Sequence, residues 1–335
     1  MRHLSHRLLS RARWLAMLLA LGTAIGAQAG NAEQWLRALN AATLQHSYAG
    51  TMVISVGDQM ATAEVVHVVT DGRSADRIDV LTGEPRTTYR LGDEVVTVWP
   101  QQRRAVREQR ADLGLFAGLG VQGAAAIDAH YELQHLPDDR IAGRAAQVVA
   151  LHPRDDARWA YRIWRDTASG LMLKVQTLAV DGATVLEQSA FTRFDAGIDP
   201  ATQPWLKQLP VPAGFARTEV NMRSLDPAES TIALLPPVPG FVLQRVQMLA
   251  DQPRPDADHP LQWVFSDGLA SLSVFYQPMA QVAPQSVAER VIRMGATHTL
   301  MRQTPQMRVT VVGEAPVATL RAFADALVIK DSAAH

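Results

Sequence analysis

Apolar runs of period two, broken by tight turn pairs, recur along most of this chain. Residues 51–56 and 60–70 are strand-like and meet at Gly57-Asp58. Runs 77–81, 86–91 and 95–99 follow, separated by Thr82-Gly83 and Gly92-Asp93. Runs 171–180 and 183–191 flank Asp181-Gly182, and runs 261–266 and 269–277 flank Asp267-Gly268. Such pairs supply the backbone that a short hairpin needs. Strands joined this closely pair as antiparallel neighbours, because a parallel crossover takes a dozen or more residues. The pattern predicts an antiparallel meander and excludes a parallel α/β sheet. Several runs are apolar on both faces, as at Met172, Leu173, Leu178 and Val180. Both faces must then be covered by helices, another sheet or a ligand.

Helical spacing is confined to a few places. Trp35, Leu36, Leu39 and Thr43 recur on one helical face, with Asn31 as cap and Gln34 as its box partner. Ser286-x-x-Glu289 reads as the start of a short helix ending near Gly295. Pro316 opens a last helix with Leu320, Phe323 and Leu327 on one side. Between the two halves, residues 196–214 hold Pro200, Pro204, Pro210 and Pro212. A Pro-rich stretch without strand or helix period predicts a semi-stiff linker. The expected layout is a β-rich domain over 30–195, a linker over 196–216 and a small α+β domain over 217–331.

The first 29 residues carry Arg2, Arg7, Arg11 and Arg13 and no acid, then a short apolar run and Ala27-Gln28-Ala29. Basic, apolar and A-x-A segments in that order predict a secretory signal peptide over 1–29. The apolar run is shorter than the ~20 residues that span a bilayer. Its removal leaves 28 basic and 33 acidic residues, a net charge of −5. The expected product is a soluble protein outside the cytoplasm, away from nucleotide cofactors, and none is predicted. That charge balance also argues against nucleic acid, whose phosphates need a clustered basic excess.

The chain contains no cysteine. That excludes disulfides, thiolate zinc sites, iron–sulfur clusters, thiol catalysis and a cysteine-linked lipid anchor. None of the ten histidines forms an H-E-x-x-H or similar metal pair, and neither a G-x-S-x-G elbow nor a paired S-x-x-K is present. No catalytic residue and no metal ligand is predicted. Gly118-x-Gly120-x-x-Gly123 matches the dinucleotide pattern, but Arg103–Arg110 before it is not the hydrophobic strand that the pattern requires.

Two features suggest binding. Residues 109–122 set Leu113, Leu115, Phe116 and Leu119 on a glycine-rich backbone, a poor helix and a poor strand. Such a segment is either a mobile apolar lid or a packed loop. Arg290, Arg293, Arg302 and Arg308 span nineteen positions without an acid. Arginine's planar fork suits carboxylates and phosphates, so these four are the candidate partner contacts, against the plainer reading of a solvated face.

Four stretches resemble the RseB/MucB family of periplasmic regulators of an envelope-stress sigma factor. They are WLRALNAATLQHSYAGTMVIS, WAYRIWRDTASGLMLKVQTLAVDGATVLEQ, WVFSDGLASLSVFYQP and VTVVGEAPVATLRAFADAL. SDGL before an alternating strand, then VTVVGE with Pro316 opening a helix, is the most specific part. The resemblance implies a half-open antiparallel β-barrel around helices, like that of periplasmic lipoprotein carriers, followed by the smaller α+β domain. It implies binding to the periplasmic segment of a single-span anti-sigma factor, shielding that segment from a site-1 protease. Lipid-like ligands such as lipopolysaccharide or acyl chains are expected to loosen that grip, with Trp99, Leu113, Leu115, Phe116 and Leu119 as their candidate contacts beneath a movable cover, and a homo-oligomer is compatible with it. A periplasmic lipid or lipoprotein carrier is the alternative reading of the first domain.

Overall fold

A computed structural model describes residues 32–109, 127–207, 209–230, 232–249, 260–278, 288–304 and 307–330. The chain starts with helix α1 (Ala32–Gln45). Strands β1 (Tyr48–Val56), β2 (Gln59–Thr70), β3 (Arg73–Val80), β4 (Arg86–Leu91), β5 (Glu94–Trp99) and β6 (Arg104–Gln109) then run as a meander. A single turn, α2 (Ile127–His130), leads to β7 (Tyr131–Ile141), β8 (Arg144–Pro153), β9 (Ala160–Asp166), β10 (Met172–Leu178) and β11 (Val185–Ala196). With β12 (Ala216–Val220) these form one sheet ordered β12-β6-β5-β4-β3-β2-β1-β11-β10-β9-β8-β7. Every pairing in it is antiparallel except β6 with β12. Its edges, β7 and β12, are not paired to each other, so no closed barrel forms among the described residues.

The second unit contains β13 (Met222–Leu225), β14 (Ile232–Leu234), β15 (Val242–Leu249), β16 (Leu261–Ser266), β17 (Ser271–Pro278), β18 (Ala288–Met294), β19 (Thr297–Gln303), β20 (Met307–Gly313), α3 (Val317–Asp325) and β21 (Leu327–Ile329). Seven strands form an antiparallel sheet, β13-β15-β16-β17-β20-β19-β18, and β14 pairs with β21. Helix α3 closes one face, with Phe323 against Phe265 and Phe241 at ring separations of 4.9 and 5.6 Å.

Turns at Gly57-Asp58, Gly92-Asp93, Asp181-Gly182 and Asp267-Gly268 join successive strands as the sequence predicts. One expectation changes. The segment ending near Gly295 is strand β18, not a helix. Val291 and Ile292 favour the strand, and Glu289 pairs across it with Arg302 instead of folding back on a helix end. The N–H groups at the start of α1 are capped from a distance, by Asp128 Oδ1 at 2.8 Å from Ala32 N and 3.3 Å from Glu33 N; Asn31 lies outside the described residues. The Pro-rich stretch is packed and not a free tether: Trp205 and Leu209 are buried with Val96, Val98 and Ala105, and β12 then joins the first sheet.

The hairpin β7–β8 escapes a period-two reading for a physical reason. β7 is an edge strand, largely exposed, with Pro137 at a register shift between Leu136 and Asp139. Proline is tolerated there because an edge strand leaves one row of N–H groups unpaired.

Candidate functional site

The SDGL motif is the turn between β16 and β17, and its side chains do two jobs. Ser266 Oγ accepts from Gly268 N at 3.0 Å and donates to Ala270 O at 2.9 Å. Asp267 Oδ1 accepts from Leu269 N and Ala270 N at 2.9 and 2.8 Å, which fixes the turn. Asp267 Oδ2 then reaches into the first unit, where it accepts from Arg158 Nη1 at 2.9 Å and Tyr131 Oη at 3.0 Å. Both the Arg158 and Asp267 side chains are fully buried. Arg158 also donates from Nε to Asp155 Oδ1 at 3.0 Å and from Nη2 to Pro239 O at 2.5 Å. A buried ion pair is tolerable only when hydrogen bonds also satisfy its remaining donors and acceptors, and this one meets that demand. Burial, then the Asp267 charge, push the Tyr131 hydroxyl well above its usual range, so it remains a donor.

A second hairpin tip enters the first unit beside it. Gly295-Ala296 joins β18 to β19, with Ala296 completely buried among Trp35, Leu36, Trp159 and Tyr161. Trp159 Nε1 donates to Ala296 O at 2.9 Å, and Ala296 N donates to Glu187 Oε2 at 3.3 Å. Gly295 has φ +58°, and a Cβ there would lie 2.6 Å from Val56 Cγ1, so the close approach needs glycine. Thr319 Oγ1 at the start of α3 adds a bond to Ala157 O at 2.7 Å. The two units are therefore interlocked by two hairpin tips and a buried charge pair.

The predicted arginines do not form one patch. Arg290 and Arg293 lie on β18, Arg302 on β19 and Arg308 on β20. Arg290 is opposite Met301 and Arg308 is opposite Gln303, which puts these two on one face. Arg293 and Arg302 alternate onto the face that carries α3. Arg302 is already engaged, bonded to Glu289 at 3.0 Å and to Asp325. Its hydrogen bond, with that of Arg321, holds the Glu289 carboxyl below its usual range. The acids that neutralise Arg302 come from a neighbouring strand and from α3, which a scan of residues 290–308 does not see.

Trp99 ends β5, half-buried, with the Arg104 guanidinium 4.2 Å over its ring. Leu113, Leu115, Phe116 and Leu119 lie outside the described residues, as does the Gly118–Gly123 motif. Among the described residues no His, Asp and Glu cluster could hold a metal, and no helix is long and apolar enough to cross a membrane.

Comparison with known proteins matches both units. A family model described as the MucB/RseB N-terminal domain matches residues 31–209, and one described as the MucB/RseB C-terminal domain matches residues 201–328. The sigma factor AlgU regulatory protein MucB of Pseudomonas aeruginosa is 30% identical over 319 residues, covering 92% of this chain and 95% of that protein. The sigma-E factor regulatory protein RseB of Salmonella typhimurium is 24% identical, covering 87% of this chain and 89% of that protein. A crystal structure of MucB in complex with MucA(peri) superposes with a TM-score of 0.65 at 28% identity, covering 90% of this chain and 100% of that one. The Pseudomonas aeruginosa MucA/MucB complex structure gives 0.67 with the same identity and coverage.

Proposed function

Because the chain belongs to the MucB/RseB family, we propose that it regulates an envelope-stress sigma factor by binding the periplasmic segment of a single-span anti-sigma factor. It acts in the periplasm after loss of residues 1–29, by binding and not by catalysis. Bound, it shields that segment from site-1 proteolysis; a lipid-like ligand such as lipopolysaccharide or acyl chains releases it. One observation carries the reading: the likeness spans both units of a relative solved in complex with MucA(peri). The working division is a first domain over 30–195 and a partner-binding domain over 217–331, with 196–216 as a packed strap between them. Of the candidate contacts, Arg290, Arg293 and Arg308 are the arginines offered to the partner, while Trp99 and the Leu113–Leu119 segment are offered to lipid.

A carrier of lipids or lipoproteins needs only the first domain. The second domain, tied to the first through Arg158 and Asp267, favours the regulator. The test is protection of the anti-sigma periplasmic segment from the site-1 protease. Equimolar full-length protein should slow cleavage, and added lipopolysaccharide should restore it. Cleavage unchanged at saturating protein rejects the shielding role, and protection indifferent to lipid rejects the release step.

A further inference from the structure

Each large sheet ends in two strands whose outer edges pair with no other strand among the described residues, β7 and β12 in the first and β13 and β18 in the second. An open edge presents a row of free N–H and C=O groups that another extended chain can complete. Three of the four edges are blunted. β7 carries Pro137 at a register shift, and β12 and β13 pair over only five and four residues. In β18, by contrast, all seven residues from Ala288 to Met294 pair with β19 without a shift. Among these four strands β18 alone exposes large apolar side chains, Ile292 at 44% and Met294 at 62%. Arg290 shares their face, away from α3, while Glu289 and Arg293 lie on the α3 face. Glu289, the one acid of the strand, is already held by Arg302 and Arg321. The edge therefore offers two exposed arginines, one on each face, around two exposed apolar side chains. A partner seated on either face reaches one arginine; a chain laid along the edge reaches both.

We propose that β18 is a strand-addition site: the anti-sigma segment binds as an extra strand along it, with apolar side chains against Ile292 and Met294 and carboxylates against Arg290 and Arg293. This rests on the regulatory reading above and assigns the place and form of the contact. Main-chain hydrogen bonds supply affinity in such additions, and the alternating side chains supply specificity. Arginine's fork receives a carboxylate through two parallel bonds, which fixes the register of the added strand. A second copy of β18 fits the edge less well, because it would bring the same two arginines alongside these, and like charges across a strand pair repel.

Amide exchange of the full chain, with and without the anti-sigma periplasmic segment, tests this. Alternate N–H groups of an edge strand point outward, so every second amide of β18 should exchange about tenfold or more slowly once the segment is bound. Leu300, inside the sheet on β19, should hold within about twofold. Two variants are paired with this, Ile292→Asp and the double change Arg290→Glu with Arg293→Glu. All three side chains are exposed, so circular dichroism should match the wild type. Each variant should weaken binding of the segment by about tenfold or more. Binding that leaves β18 exchange unchanged overturns the proposal whatever the variants do, and leaves the regulatory reading standing. Wild-type affinity in both variants overturns it too. Absence of any binding overturns the regulatory reading and the proposal together. Protection of β18 that rises with protein concentration, without the segment, gives the edge to a second copy and overturns the proposal.

Discussion

Replacing Arg158 with methionine should cost the folded protein about 3–5 kcal/mol, the range for removing one partner of a buried pair. The magnitude follows from what the substitution leaves behind. Arg158 and Asp267 are both fully buried, so solvent cannot re-enter to screen the orphaned carboxylate. Tyr131 and two backbone N–H groups still bond Asp267, but none brings a positive charge. Asp267→Asn should cost less, about 1–3 kcal/mol, because Arg158 keeps Asp155 and the Pro239 carbonyl. The double variant removes both buried charges and keeps an acceptor for the turn amides. It should recover most of the loss, giving a coupling of about 2 kcal/mol or more. Urea unfolding followed by tryptophan fluorescence and circular dichroism reads this out. With a slope near 3 kcal/mol per molar, the Arg158→Met midpoint should fall by roughly 1–1.7 M. The two signals, coincident in the wild type, should separate as the units uncouple. A loss below about 1 kcal/mol, or additive single changes, would falsify the claim that this pair joins the units.

Gly295→Ala should destabilise by about 1–3 kcal/mol, because the Cβ would press on Val56 Cγ1 and Leu186 O at a φ that side chains avoid; thermal unfolding unchanged within about 1 °C would contradict the fit. Alanine at Arg290, Arg293 and Arg308 together should weaken anti-sigma binding by about 0.2–1 kcal/mol per residue, chiefly in association rate and less at high salt. Arg302→Ala should instead lower fold stability through Glu289 and Asp325, so a pure binding defect there would show the pairing to be wrong. Burial pushes the Asp76 carboxyl up, but its bonds to His67 and Arg90 outweigh that and hold it below the usual range. Its contribution is therefore complete above the unfolded carboxylate value and lost as pH falls below about 4. Asp76→Asn should flatten the acid limb of the stability curve, and an unchanged limb would refute the assignment.

The signals legible in the sequence are those that need no partner. Asp181-Gly182 and Asp267-Gly268 mark hairpins because turn geometry is set within a few residues, and Pro316 marks a helix start for the same reason. Strand β18 passes for a helix because a four-residue spacing carries no information about the strand that Glu289 faces. The Asp128 cap on α1 sits 96 residues from Ala32, and the acids that occupy Arg302 come from elsewhere in the fold. The junction is half legible: SDGL stands out as a motif, while Arg158 is one more arginine before a tryptophan until folding sets it against Asp267. Its burial, not its spacing, is what gives it a role, and burial is a property of the assembled chain.

Both domains, acting as a unit, should recognise one anti-sigma factor. The most direct test is co-purification from envelope membranes of the host cell, using the full-length protein as bait and mass spectrometry to identify and count what is retained. One membrane-anchored anti-sigma factor, retained in a fixed stoichiometric ratio and lost when lipopolysaccharide is added, is the predicted result. A broad set of lipidated proteins with no anti-sigma factor among them would contradict it and identify a carrier.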